Sequence, residues 1–139
     1  MIEKHIQYLF VYGTLRKGIS NGTFNYINPY ITLQGVAMVK GECYQYKNLP
    51  ALVSGNLEQD IEGDLYKIND VEAISWVLMQ LDDLKGMKPD NSDTPLYKRS
   101  VTTVTFENSN IEAWIYLFNG EIAGLPRLES HEIPNLLNI

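Results

Sequence analysis

Cysteine is nearly absent from this chain: Cys43 is the only one in 139 residues. A single cysteine excludes an intrachain disulfide and suits a reducing compartment. Histidine is almost as scarce, with His5 and His131 alone. Neither lies at ligand spacing from Cys43, so no transition-metal site is expected, and no cofactor. Long hydrophobic runs are missing too. YLFVY, residues 8–12, is too short for a membrane span or a signal-peptide core, and the start of the chain has no small-residue cleavage site. A cytoplasmic location is the expectation. Positive charge is thin: 11 basic residues face 17 acidic ones, for a net charge of −6. Nucleic acid and anionic membrane both require a concentrated basic surface, so neither is expected as a partner. The nucleophile elbow Gly-x-Ser-x-Gly does not occur. The spacing of Gly13 and Gly18 imitates a phosphate-binding loop, but Ile19 stands where its lysine must be.

What remains is an ordinary globular composition, 45% hydrophobic and 20% charged, long enough to bury a core. One domain over 1–139 is expected. Residues 7–12 read as a buried strand ended by Gly13. Residues 19–30 look loop-like, with one helical turn at most. Residues 33–46, broken by Gly35 and Gly41, suggest bent or bulged strands. A turn and a short extended piece follow over 47–53, then a strand over 61–68. The spacing of Val71, Ile74, Val77, Leu78, Leu81 and Leu84 predicts one helix, about 70–85, with Asn69 or Asp70 as cap and Gly86 beyond its end. YKRSVTTVTF (97–106) and IEAWIYLF (111–118) flank the turn-like ENSN as a hairpin. The second of these strands is apolar on both faces, as a doubly covered strand would be. The tail, with Pro126 and Pro134, predicts irregular chain and at most a short helix. This pattern gives an α+β fold whose sheet closes into a barrel around the helix.

Three places carry chemistry. Gly13 can take a positive φ and bring the backbone close to a ligand, and N–H groups after a strand can hold an anion. An isolated Tyr-Gly-Thr is more often a plain turn. Asp82 and Lys85, three apart, share a helix face. A lysine in a last helical turn is usually there for the dipole, and a surface Asp–Lys pair is common and weak. Tyr97 and Arg99 alternate onto one face of a strand, where they line a polar pocket or merely bridge elements.

In order along the chain stand VYGTLRKG (11–18), GECY (41–44), LPALV (49–53), GDLY (63–66), LDDLKG (81–86), YKR (97–99) and AWIY (113–116). Together they resemble the γ-glutamylcyclotransferase-like family over roughly residues 7–118. The resemblance implies a small α+β domain with a mixed, barrel-like sheet. It also implies cleavage of a γ-glutamyl amine or amide by cyclisation to 5-oxoproline. The substrate's own α-amine is then the nucleophile, so neither metal nor cofactor is implied. Tyr12, Gly13, Thr14 and Leu15 correspond to the substrate-holding turn, and Tyr97 to a tyrosine lining the pocket.

The chain departs from the family at one position. The family's helix ends Leu-Asp-x-x-Glu-Gly, and that glutamate shuttles the proton; here the position is Lys85. A lysine beside Asp82 at a helix C-terminus is held protonated, able to donate a proton but a poor base. Asp82, Asp83 or a deprotonated Lys85 would have to supply the base. Two readings therefore stand: a cyclotransferase with a rearranged proton shuttle acting through Lys85 and Asp82, and a non-catalytic member that binds a small γ-glutamyl molecule. A third, a barrel for a hydrophobic ligand, is suggested by nine tyrosines.

Overall fold

The computed structural model describes residues 6–13, 25–47, 49–54, 59–85, 96–130 and 132–133, with 83–85 as backbone only. Its elements run β1 (Tyr8–Val11), β2 (Ile31–Tyr46), β3 (Leu49–Val53), β4 (Gln59–Ile68), α1 (Ile74–Lys85), β5 (Tyr97–Phe106), β6 (Ser109–Phe118) and β7 (Arg127–Leu128). Strand β2 pairs with β4, β4 with β1, β1 with β6, β6 with β5, and β5 returns to β2. The ring is closed and mixed: β1 and β6 are parallel, and every other neighbour in it is antiparallel.

Residues 33–46 belong to one strand of 16 residues. Its register slips between Leu33 and Gly35, and Gly35 takes φ +148, which is the bulge that the glycine signalled. Beyond Gly41 the strand leaves the barrel. It becomes the centre of a small second sheet, with β3 on one side and β7 on the other.

Alternation along the strands sorts the core into two layers. Phe10 of β1 and Tyr12 just after it join Val39, Ile61, Leu65, Val104, Ala113 and Ile115 in the barrel interior. Leu9 and Val11 face the other way, onto Ile74, Val77, Leu78 and Leu81 of α1. The helix therefore packs on the barrel's outer face and is not enclosed by it. The interior of so small a barrel is already filled by side chains. Gly63 makes room there, since a Cβ would lie 2.4 Å from the Val11 carbonyl oxygen and 2.5 Å from the Phe10 ring.

Three further expectations are corrected. Val71 is not part of the buried stripe; it is 44% exposed, in a 3-10 turn (Val71–Ala73) that precedes α1. Asp70 caps that turn by accepting from the Glu72 N–H at 3.0 Å. The hairpin turn is shorter than ENSN: Glu107 and Asn108 take φ 49 and 64, as in a two-residue type I′ turn, and Ser109 and Asn110 already belong to β6. The tail contributes a strand, β7, too short for any periodicity to show. Gly86 lies outside the described residues. Among the described residues no helix is long and apolar enough to cross a membrane.

Candidate functional site

Strand β1 delivers the chain to Gly13 with φ +63. A Cβ at this position would sit 2.6 Å from Cγ of Pro50, so the turn lies directly on that ring. Proline is tolerated in β3 because β3 is an edge strand, paired only with β2. The Pro50 carbonyl accepts a hydrogen bond of 2.6 Å from the Tyr97 hydroxyl. The end of β1, the start of β3 and the start of β5 thus meet at one proline. Tyr97 is buried against Phe118 at 5.9 Å between ring centres, and Phe118 packs on Tyr46 at 5.2 Å.

Below the turn is a buried group of ionisable side chains. Tyr12 points into the barrel, and its hydroxyl donates to the Tyr116 backbone carbonyl. Burial pushes its phenol well above the ordinary value, and the nearby Tyr97 and Cys43 push the same way. Burial likewise raises Tyr97, with Cys43 adding. The Cys43 thiol is pushed up to about 12 by burial, which outweighs the opposing backbone contacts at Ala51 and Tyr44. All three stay neutral at physiological pH. What Tyr12 offers a ligand is therefore its backbone, since its side chain is committed inside.

A second cluster ties α1 to the sheet. Asp82 Oδ1 accepts from the Tyr116 hydroxyl at 2.6 Å and from Arg99 Nε at 3.0 Å. The guanidinium also lies over the Trp114 ring, 4.7 Å from its centre. The Tyr116 phenol is raised chiefly by burial, then by its bond to Asp82 and that charge, against the opposing effect of Arg99. Tyr116 joins the two clusters, because its carbonyl holds Tyr12 and its hydroxyl holds Asp82.

Of the residues singled out from the sequence, the structure brings Gly13 and Tyr97 together on Pro50. Tyr97 and Arg99 do share a face, opposite Phe118 and Tyr116, but they then part, one to β3 and the other to α1. Lys85 is the last residue of α1; its side chain, with Thr14 and Leu15, lies outside the described residues. Pro50 and Tyr116 were not singled out as site residues, although each sits inside a motif, LPALV and AWIY. Among the described residues no group of His, Cys, Asp or Glu converges as metal ligands would.

A closed mixed barrel, one outer helix and a glycine turn seated at the end of the first strand define a class of small α+β domain. Within that class, the chain belongs to the family described as gamma-glutamyl cyclotransferase, AIG2-like, whose model matches residues 9–134. A protein of Methanocaldococcus jannaschii, named provisionally as a gamma-glutamylcyclotransferase, is 29% identical over 118 residues, 81% of this chain and 85% of its own length. The crystal structure of an AIG2-like protein from Mus musculus superposes with a TM-score of 0.63 at 20% identity, covering 91% of this chain and 88% of that one. An uncharacterised protein from Pyrococcus horikoshii gives 0.58 at 19% identity, with 91% and 92% covered. At such identities the two structures speak for the fold.

Proposed function

We propose that this chain cleaves the γ-glutamyl bond of a small γ-glutamyl amine or amide, releasing the amine and 5-oxoproline. The observation that carries the proposal is the Gly13 turn seated on Pro50, with Tyr97 bonded to the same residue. Backbone N–H groups of Tyr12, Gly13, Thr14 and Leu15 hold the glutamyl moiety in a folded conformation, and Tyr97 lines the pocket beside them. The substrate's α-amino nitrogen attacks its own γ-carbonyl carbon. A C–N bond forms, and the carbonyl oxygen takes the electron pair, stabilised by N–H donors. Collapse breaks the original γ C–N bond, and the leaving nitrogen keeps that pair and needs a proton. Lys85, as an ammonium, supplies it; solvent water takes the proton shed by the attacking amine and returns one to the lysine, and turnover is slow because no positioned base stands where the family keeps its glutamate. Asp82 anchors this end of the helix to Arg99 and Tyr116. Holding the reacting atoms together is the protein's largest task, since intramolecular reactions gain from proximity alone.

Lys85, in place of the family's glutamate, favours a second reading: a domain that binds the γ-glutamyl group without turning it over. The two are separated by incubating the protein with a panel of γ-glutamyl amines and amides while measuring 5-oxoproline release and calorimetric binding. Turnover supports the cyclotransferase, and saturable binding without 5-oxoproline supports the binding domain. Neither turnover nor binding across the panel contradicts both.

A further inference from the structure

A cluster of aromatic rings stands at the N-terminal end of α1, away from the Asp82 end. Trp76 and Tyr30 lie 5.1 Å apart between ring centres with planes at 56°. Tyr26 meets Trp76 nearly at right angles, 87°, at 6.3 Å. All three rings are substantially exposed: Tyr26 49%, Tyr30 41% and Trp76 39%. Large aromatic side chains usually bury such area, and here the rings pack on one another at the surface. Tyr30 and Trp76 line a cavity of about 400 Å³ together with, among the described residues, Asp70, Glu72 and Ala73. Among the described residues its charged lining is acidic, in a chain of net charge −6. The backbone holds the acidic side of the cavity still, because Asp70 caps the 3-10 turn through the Glu72 N–H.

Ring faces attract cations through their quadrupole, most strongly when the cation is large and weakly hydrated. Two angled rings and two carboxylates lining one cavity select against anions and offer a neutral ligand only the rings. We propose that this cavity is a binding site for a small organic cation of the alkylated ammonium class. Tyr30 and Trp76 supply the ring faces, Tyr26 fixes the indole, and Asp70 and Glu72 supply the charge. Trp76 and Asp82 are six residues apart on α1, about 9 Å along its axis, and none of the cavity's residues contributes to the contacts around Gly13 and Pro50. The inference therefore stands independently of the proposed cyclotransferase chemistry.

The test follows the two indole N–H resonances in a ¹H–¹⁵N correlation spectrum during titration with choline, and separately with its neutral isostere 3,3-dimethylbutan-1-ol. Trp114 is the internal control, since its indole N–H is engaged with the Ile6 carbonyl. The expected result is a saturable shift of Trp76 alone, with choline binding at least about tenfold tighter than the isostere. Glu72→Gln, on an exposed turn residue, is expected to weaken choline several-fold without changing isostere binding, and Trp76→Leu to abolish both. Equal affinity for choline and the isostere, or a Trp76 resonance that neither moves, would overturn the proposal.

Discussion

Gly13 is the residue on which the candidate site's geometry rests, and two costs attend its replacement. An alanine there must adopt φ +63, and its Cβ must push Pro50 from 2.6 Å to an ordinary contact. Gly124 separates the two costs, since it has φ +83 and a Cβ added to it would meet nothing within 4 Å. We predict that Gly124→Ala costs about 1–2 kcal/mol, the penalty of the left-handed backbone alone. Gly13→Ala is expected to cost about 2–4 kcal/mol, the overpacking term being added, and to weaken binding of any γ-glutamyl ligand. Urea denaturation of both variants measures the difference; equal losses would show that Pro50 yields freely. At this scale the sequence marked Gly13 as a turn, which its positive φ bears out, but only the motif VYGTLRKG lifted it above a plain one. It was silent on Pro50, since a contact between residues 37 apart leaves no local pattern.

At the scale of elements, the helix and hairpin were legible because each repeats its signal over many residues. Ile74, Val77, Leu78 and Leu81 are buried as their spacing requires. The side on which α1 packs was not legible, because an apolar stripe does not say whether its partner surrounds it or lies beneath it. Nor could the spacing of Asp82 and Lys85 reveal that Asp82 bonds to Arg99 and Tyr116 across the helix–sheet boundary. Those contacts make Asp82 an anchor, with a measurable consequence. Asp82→Ala leaves the buried Tyr116 hydroxyl only its longer contact with the Leu78 carbonyl, at 3.4 Å. A loss of about 1–3 kcal/mol is expected, chiefly through Tyr116, since the half-exposed ion pair with Arg99 is worth little. Combined with Tyr116→Phe the losses should be strongly non-additive. Additive losses would show that the two side chains act separately.

For the whole molecule, the buried phenols and thiol set the response to pH. Tyr12, Tyr97, Tyr116 and Cys43 all hold their protons more tightly folded than unfolded. The folded chain therefore binds more protons than the unfolded chain once pH passes the ordinary values, about 8.5 for cysteine and about 10 for tyrosine. The stability they contribute is whole below that window and declines as pH climbs through it. Unfolding midpoints measured between pH 7 and 11 should hold steady from these groups up to about pH 8.5 and then fall; a midpoint rising above pH 10 would contradict the burial of these groups. The family and its barrel could be read from motifs spread along the chain, whereas the proposed catalysis turns on Lys85. The most direct measurement is 5-oxoproline formation by the wild type and by Lys85→Glu across γ-glutamyl amines. Glutamate is a good helix former, and at the last residue of α1 the negative helix end costs it only about 1 kcal/mol, while a positioned general base is worth about 10²–10⁴-fold in rate. A pocket that folds the glutamyl chain predicts 5-oxoproline release that appears or rises in the variant. A wild type already at full rate and slowed by Lys85→Glu would assign the proton transfer to Lys85 itself. No 5-oxoproline and no γ-glutamyl binding in either protein would contradict the glutamyl pocket.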